Sequence, residues 1–200
     1  MSNPSQLKQL LSSLSIPLND EFDIALLTAN DLPDICKMLD DPEVSKYLFF
    51  APSPHEVYQG YFQPIIEEIE KAKSENRLPN TVNLIIRHKD TNQFCGEIGL
   101  APIDFHPGNY EIGYQIPTHA WGKGLATLGC QFMTLIAFDD LEAHKVTADC
   151  YAGNMGSARV LEKSGYIREG CSKGYYQDAN RSDDKLYFGM TKAQFDKMQS

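Results

Sequence analysis

The chain has 200 residues, of which 42% are hydrophobic and 22% charged, and these proportions are typical of one folded domain rather than of a disordered or fibrous chain. Its 18 basic and 27 acidic residues give a net charge of −9, which argues against general binding to nucleic acid or to an anionic membrane surface. The same charge favours a basic partner, such as an amine.

The first part of the sequence predicts helices around one early strand. Leucines at positions 7, 10, 11 and 14 are spaced as one face of a short helix capped by Asn3, within an amino-terminal extension over residues 1–20. We expect a strand at 22–27, helices at 31–39 and from 41 onward, and a longer helix from about 55 to 76. Ser53-Pro54-His55-Glu56 has the pattern of a capping box at the start of that long helix, and Pro64 should kink or split it.

From residue 81 the pattern changes to strands. Segments 82–87 and 94–100 predict a hairpin, and the alternation of Tyr110, Ile112, Tyr114 and Ile116 with small or polar residues predicts a two-faced strand over 110–116. A buried helix from about 124, a strand at 145–151, a short helix at 157–164 and strands at 166–167 and 185–190 follow. This order predicts a single α+β domain, with a mixed, mostly antiparallel twisted sheet flanked by helices on both faces.

Cysteine, histidine and hydropathy patterns narrow the environment of the protein. The five cysteines are scattered and form no CxxC pair, so we expect reduced side chains that pack as small hydrophobic groups. The five histidines show no metal-binding spacing, and no metal is predicted. The longest uncharged run is too short for a membrane span, and the first residues lack the features of a secretory signal. These patterns predict a cytoplasmic protein that binds no membrane.

The segment Trp121-Gly122-Lys123-Gly124-Leu125-Ala126-Thr127 joins the strand at 110–116 to the buried helix. Two glycines at a helix start let a ligand approach the backbone, where unpaired amides and the helix dipole favour an anion such as phosphate. The segment does not fit a P-loop, because Gly124 follows the Gly-Lys pair, and Thr127 stands where a dinucleotide fingerprint needs its third glycine. A glycine-rich turn that binds nothing is the alternative.

This segment resembles the coenzyme A-binding core of the GNAT N-acetyltransferase superfamily, together with the strand that contains Glu111-Ile112-Gly113-Tyr114. The family signature, Arg/Gln-x-x-Gly-x-Gly/Ala, is matched at Gly124 and Ala126, while Trp121 replaces the usual Arg or Gln. A tryptophan-glycine pair is typical of the RimJ/RimL-like branch, whose named members acetylate the N-termini of ribosomal proteins. A second block, from Asn154 to Tyr166, resembles the family's Asn-x-x-Ser/Ala, short helix and Gly-Phe/Tyr ending. The resemblance is sharpest over residues 81–190.

The resemblance implies that acetyl-CoA is the co-substrate. Its diphosphate is expected on the backbone amides of the loop, which are those of Gly122, Lys123, Gly124, Leu125 and Ala126. Trp121 belongs to the same site, and the Lys123 side chain either adds a charge contact or is simply solvated. The pantetheine arm is expected between the strands ending at Ile116 and Tyr151, beside the backbone of Tyr114, Gln115 and Ile116. Asn154 either reaches this arm or caps the helix that follows it.

The implied reaction is direct attack of an amine on the thioester in a ternary complex. Glu111 is the first candidate for the base that takes the amine proton, with a structural carboxylate as its alternative role, and Glu97 or a relayed water is the second candidate. Many relatives place a tyrosine seven residues after the motif asparagine, where this chain has Leu161. Ser157 occupies the place of a serine thought to act on the leaving thiol in the RimL-type branch, and a helix cap is its alternative role.

The resemblance places the acceptor opposite coenzyme A, against the early helices and the last hairpin. Aromatic residues cluster in these segments, some in the core and some as a candidate acceptor wall: Phe49, Phe50, Tyr58, Tyr61, Phe62, Tyr175 and Tyr176, with Asp178 beside them. A protein α-amine has a lower pKa than lysine and needs less help from a base, which favours an N-terminal acceptor. A polyamine, an aminoglycoside and a non-catalytic acyl-CoA-binding module stay open, and a homodimer is a common state among the relatives.

Overall fold

The computed structural model of the chain describes residues 5–177 and 182–200, and its centre is one eight-stranded sheet. The strands lie in the order β1-β2-β3-β4-β5-β6-β8-β7, and each of the seven neighbouring pairs is antiparallel except β5 with β6. The predicted mixed, mostly antiparallel sheet is therefore confirmed. The strands are β1 (Ile16–Pro17), β2 (Phe22–Leu26), β3 (Val82–His88), β4 (Phe94–Pro102), β5 (Asn109–Gln115), β6 (Lys145–Tyr151), β7 (Ile167–Gln177) and β8 (Ser182–Thr191).

Helices cover both faces of this sheet, as the sequence predicts. They are α1 (Gln6–Ser12), α2 (Leu32–Leu39), α3 (Pro42–Ser45), α4 (His55–Ser74), α5 (Leu125–Leu135), α6 (Met155–Lys163) and α7 (Lys192–Gln199). Side chains alternate between the faces of a strand, so β3 packs Leu84 and Ile86 against the core formed with α1, α5 and α7, and Ile85 against the core formed with α2 and α4. No helix in the described part of the chain is long and apolar enough to cross a bilayer.

The long helix is not split at Pro64, and the predicted capping box at its start does not form. Helix α4 continues unbroken through Pro64, which is exposed like Gly60 one turn earlier, so water can reach the carbonyl that loses its helical hydrogen bond. Ser53 forms no capping box: its hydroxyl donates to the Phe50 carbonyl at 2.7 Å, and the N-cap position belongs to Pro54. In α1 the cap is Ser5, whose hydroxyl accepts from the Lys8 amide, while Asn3 lies outside the described residues.

The later elements follow the prediction, with differences at their ends. Strand β6 has the predicted bounds, whereas α6 begins at Met155 rather than Ser157 because Asn154 is its N-cap. Strands β7 and β8 are longer than the predicted 166–167 and 185–190, and most of β7 is exposed, so its sequence lacks the alternation that marks a half-buried strand. Strand β1 and helix α7 are not predicted by the sequence.

The central feature of the sheet is the divergence of β5 from β6. The two strands pair only over Asn109–Glu111 and Lys145–Thr147. Beyond these residues β5 continues along β4 as far as Gln115, and β6 continues along β8 as far as Tyr151. A wedge therefore opens in the middle of the sheet. The edges of β5 and β6 that face each other across it are unpaired, while the outer edge of each strand stays paired with β4 or β8.

Candidate active site

The wedge leads into a cavity of about 870 Å³, a size typical of small-molecule sites. Its walls come from both sides of the sheet. On one side lie the start of α5 and the exposed face of α6, and on the other lies the segment 43–50 that contains α3. The edges of β5 and β6 separate the two sides, so a ligand in the wedge has access to both.

The glycine loop at the start of α5 forms one end of the cavity. Gly122 and Gly124 have φ angles of +76° and +75°, a region that L-amino acids rarely adopt, and a Cβ atom on either would meet no atom within 4 Å. In the described part of the chain, no backbone amide of residues 122–127 donates a hydrogen bond to another protein group. An anion at this end of the cavity would therefore meet open space, unpaired N–H groups and the positive end of the α5 dipole.

Trp121 and Lys123 flank the first glycine and differ in orientation. The Trp121 indole lines the cavity and donates from Nε1 to the Ile116 carbonyl at 2.7 Å, which ties the loop to the end of β5. The Lys123 ammonium instead lies 5.8 Å from the centre of the Phe22 ring, and its side chain is not among the described cavity walls. Lys123 is therefore not among the described residues that line the cavity, although the glycines on both sides of it are.

Helix α6 forms the wall opposite the loop. Asn154 lines the cavity while its Oδ1 accepts from the Ser157 amide at 3.0 Å, so the helix-cap role is observed and the side-chain NH₂ group stays available for a ligand. Arg159 and Lys163 stand one turn apart on the same wall. This basic pair is not among the residues predicted from the sequence, although its i, i+4 spacing after the motif asparagine places both side chains on one face of the helix.

Tyr114 and Ser157 join β5 to α6 at the base of the wedge. The Tyr114 hydroxyl lies 3.0 Å from both the carbonyl oxygen and the hydroxyl of Ser157. Because a carbonyl only accepts and a phenol has one proton, Tyr114 donates to the carbonyl and accepts from the Ser157 hydroxyl. Burial raises the pKa of Tyr114, which keeps the phenol neutral. The proton of Ser157 is thus directed toward Tyr114.

Glu111 and Asp149 are carboxylates on the opposite face of the sheet. Glu111 lines the cavity, and its pKa is raised by desolvation and next by the charge of Asp149, while Lys185 acts in the other direction. Asp149 is paired with Lys185 at 2.7 Å and accepts from the Tyr176 hydroxyl at 3.1 Å. Glu111 carries no such ion pair in the described structure, so its carboxylate faces the cavity as a free proton acceptor.

Glu97, the second candidate for the base, lies behind this surface. Its side chain is 2% exposed, accepts from the Asn83 amide, and is not among the described residues that line the cavity. Burial raises the pKa of Glu97 to about 8, so this carboxyl is mostly protonated at neutral pH. The structure therefore brings Glu111 to the cavity and leaves Glu97 in the packed layer below it.

The cysteines and potential metal ligands show no further chemistry in the cavity. All five cysteines are free, and four of them are buried. Cys150 lines the cavity, but burial raises its pKa to about 11, which keeps the thiol neutral and poorly nucleophilic. The described residues contain no group of three or more side chains placed to hold a metal ion.

The predicted aromatic cluster divides between the core and the cavity. Tyr58 and Phe62 lie on the buried face of α4, whereas Phe49 and Phe50 line the cavity. Tyr61 is exposed, and the carboxylates Glu97 and Glu111 lie near enough to contribute to its raised pKa, after desolvation. Tyr176 lines the cavity and Tyr175 an adjoining chamber, while Asp178 lies outside the described residues.

Comparison with known proteins matches residues 23–167 to the model of the acetyltransferase (GNAT) domain. The chain is 25% identical over 181 residues to the putative ribosomal N-acetyltransferase YdaF of Bacillus subtilis, a match that covers 90% of this chain and 96% of that protein.

Solved structures share the fold. Spermidine N-acetyltransferase from Vibrio cholerae, in complex with CoA and spermine, superposes with a TM-score of 0.72 at 17% identity, over 88% of this chain and 99% of that one. The ribosomal-protein acetyltransferase RimL, in complex with CoA, superposes with a TM-score of 0.71 at 15% identity, over 88% of this chain and 97% of that one.

Proposed function

This chain belongs to the GNAT acetyltransferase family and is an acetyl-CoA-dependent N-acetyltransferase, and we propose that its acceptor is the α-amine of a protein or peptide N-terminus. The observation that carries the proposal is the wedge between β5 and β6, with unpaired loop amides at one end and the Glu111 carboxylate on its other face. The resemblance to the GNAT superfamily is confirmed. Two of the similar proteins, YdaF and RimL, are named as acetyltransferases of ribosomal proteins, as expected for the RimJ/RimL-like branch.

The α5 side of the cavity suits acetyl-CoA. We assign the diphosphate to the amides of residues 122–127, and the phosphate charge is balanced by the α5 dipole and by Arg159 and Lys163 on α6. The pantetheine arm then follows the free edge of β5 past Tyr114 and Gln115, and the NH₂ group of Asn154 faces it from α6. Amides on that strand edge supply hydrogen bonds to the thioester carbonyl as it gains negative charge.

The acceptor enters from the α3 side, where Glu111 receives its proton. The neutral amine nitrogen bonds to the thioester carbonyl carbon, the proton of the amine passes to Glu111 directly or through one water, and the carbon–sulfur bond breaks. The coenzyme leaves as a thiolate, which takes a proton from solvent, because the Ser157 hydroxyl proton is donated to Tyr114. The raised pKa of Glu111 makes this carboxylate a better base near neutral pH than an ordinary glutamate.

An α-amine fits this machinery better than a lysine side chain. Its pKa is lower by more than two units on average, so a larger neutral fraction is present at pH 7 and one carboxylate suffices as base. YdaF, which the chain matches over nine-tenths of its length, is named as a putative ribosomal N-acetyltransferase. The spermidine enzyme is similar at 17% identity, which supports the fold and not a polyamine acceptor.

Release of free thiol from acetyl-CoA tests the proposal directly. Peptides that begin with Ser, Ala or Met are compared with spermidine, an aminoglycoside and N-acetylated versions of the same peptides. We expect release that depends on a free α-amine, and acetylation of that amine by mass spectrometry. Tight binding of acetyl-CoA by calorimetry, with no amine-dependent release from any acceptor, would instead support a non-catalytic acyl-CoA-binding module.

The role of Glu111 is tested with Glu111→Gln. Loss of a positioned base lowers the rate by about 10²–10⁴-fold, so we expect kcat to fall at least tenfold while the affinity for acetyl-CoA stays unchanged. Glu162→Gln is the matched control, because Glu162 is exposed on α6 and does not line the described cavity. An unchanged kcat and pH profile in Glu111→Gln would remove Glu111 from the mechanism.

A further inference from the structure

A second chamber of about 550 Å³ opens beside the main cavity on the α3 side. The two spaces share walls at Lys46, Leu48, Phe49, Tyr151 and Tyr176, so they adjoin each other. None of the glycine-loop residues lines the second chamber. A group that occupies it is therefore part of the acceptor and not of acetyl-CoA.

Aromatic rings form the wall between the chamber and the cavity. The Tyr151 and Tyr176 rings stack in parallel with their centres 3.5 Å apart and an interplanar angle of 9°. Tyr175 packs edge-on against Tyr176 at 5.1 Å, and the Tyr176 hydroxyl is held by Asp149. These contacts hold the Tyr176 ring in place, which lowers the entropy cost of binding a further ring.

Two of the chamber's rings keep large exposed surfaces. Tyr175 is 56% exposed, and Phe49, which packs edge-on against Phe50, is 78% exposed. Exposed aromatic surface that borders a cavity is a favourable contact for another ring, through burial and through offset or edge-on packing. These rings line the chamber without filling it.

The charges of the chamber argue against a second ammonium group. Among the described residues that line it, none is acidic and Lys46 is basic. In the adjoining cavity Asp149 is already paired with Lys185, while Glu111 lies beside the wedge and Glu43 on the α3 wall. A polyamine would therefore meet carboxylates only in the main cavity, because the described lining of the chamber offers none to a further ammonium group.

We propose that the chamber binds an aromatic ring carried by the acceptor next to its reactive amine, so that the preferred substrates are α-amines of peptides with an aromatic first or second residue. The inference rests on the proposed function and deepens it. The amine lies at Glu111 in the main cavity, and the ring packs against Phe49 and Tyr175 in the chamber. Selectivity comes from the contacts of the acceptor ring with Phe49 and Tyr175.

The experiment measures kcat/KM for dipeptide amides that carry phenylalanine, cyclohexylalanine, alanine or lysine in the first or second position, with spermidine as a further acceptor. We expect the phenylalanine peptides to exceed the alanine peptides by about tenfold, and lysine peptides and spermidine to be the poorest. A preference for lysine or spermidine, or equal rates for phenylalanine and alanine, would overturn the inference. Equal rates for phenylalanine and cyclohexylalanine would also overturn it, because burial alone would then explain the preference.

A matched pair of variants locates the effect in the chamber. Phe49→Ala should lower the preference for phenylalanine over alanine by about two- to tenfold, the range expected for one aromatic pair. Phe105→Ala removes a ring that is 99% exposed and lines neither space, and should leave the preference unchanged. A preference that survives Phe49→Ala would contradict the assignment. Thiol release from none of the amines would overturn the proposed function itself, whereas release without aromatic selectivity would overturn this inference alone.

Discussion

At the scale of single residues, the chemistry of the cleft depends on the charge of Glu111. Its carboxyl shares one face of the sheet with Asp149, and both desolvation and the Asp149 charge raise its pKa. Lys185 partly offsets this effect while it neutralises Asp149 at 2.7 Å. Because Glu111 must be ionised to accept a proton, the rate should fall on the acid side of the pH profile. This fall should occur at a higher pH than a base with the pKa of an ordinary glutamate would give.

Asp149→Asn tests this charge coupling. The substitution removes a negative charge that raises the pKa of Glu111 and releases Lys185 from its ion pair, and both changes favour the ionised form of Glu111. We expect the acid limb of kcat/KM to move to lower pH, while the alkaline limb stays in place.

The control for Asp149→Asn is Asp184→Asn. Asp184 pairs with the exposed Lys173 and does not line the described cavity, so its loss should leave the pH profile unchanged. An acid limb that stays in place in Asp149→Asn, or moves to higher pH, would contradict the account.

At the scale of elements, the glycine loop is positioned by its attachment to β5. The Trp121 indole donates to the Ile116 carbonyl, one residue beyond the end of β5, and the next residues turn through two left-handed glycines into α5. Arg and Gln, the usual residues at this position, also carry side-chain N–H donors. Tryptophan can therefore take their place because its indole N–H supplies a donor as well. The loop and the open strand edge are thereby held as one unit.

Trp121→Phe removes that hydrogen bond and keeps most of the aromatic surface. A net hydrogen bond contributes about 0.5–1.5 kcal/mol, so we expect the affinity for CoA to fall by about two- to tenfold through a less ordered loop. Calorimetric titration with CoA measures the change, and kcat at saturating acetyl-CoA should change less than the affinity. A fall in kcat with unchanged affinity would show that Trp121 acts on the chemical step and not on the loop.

Elements with strong periodicity could be predicted from the sequence. Strand β6 has its predicted bounds because Val146, Ala148 and Cys150 alternate with polar residues along a half-buried strand. Strand β7 was predicted too short because it is exposed along most of its length, so burial leaves no pattern in its residues. Helix α7 was missed although its capping box, Thr191 with Gln194, is a readable signal.

Local motifs in the sequence predicted part of the cavity lining, which includes the glycine loop and the side chains of Glu111, Trp121 and Asn154. The loop at 122–126 follows from two glycines before a buried helix, and its free amides agree with that pattern. The direction of the Lys123 side chain, over Phe22, depends on a strand a hundred residues earlier in the chain. The aromatic chamber likewise joins residues from α3 and from β7, which no local pattern connects.

At the scale of the whole molecule, the sheet carries a buried carboxyl beneath the acceptor face. Glu97 on β4 is 2% exposed and is paired with Asn83 on β3. Its pKa is about 8 in the folded chain, against about 4.3 for an unfolded glutamate. Below the unfolded pKa, Glu97 is protonated in both the folded and the unfolded chain. Between the two pKa values it is protonated only in the folded chain. The free energy of unfolding therefore falls as the pH rises through this range.

Glu97→Gln should remove this dependence, because glutamine keeps a carbonyl acceptor for Asn83 and does not ionise. The wild type should lose stability relative to the variant by up to about 1.4 kcal/mol per pH unit between about pH 5 and 8. Urea unfolding of both proteins across this range gives the difference. A difference that is constant with pH, or that favours the wild type as pH rises, would contradict the assignment of a raised pKa.

The account as a whole requires that the open wedge and the glycine loop receive the coenzyme together. A crystal structure of the full chain with CoA bound measures this directly, through the distances from the diphosphate oxygens to the backbone nitrogens of residues 122–127. The account predicts at least two such distances of about 3 Å, with the pantetheine arm along the edge of β5. A diphosphate bound elsewhere, or loop amides turned toward the protein's own carbonyls, would contradict it.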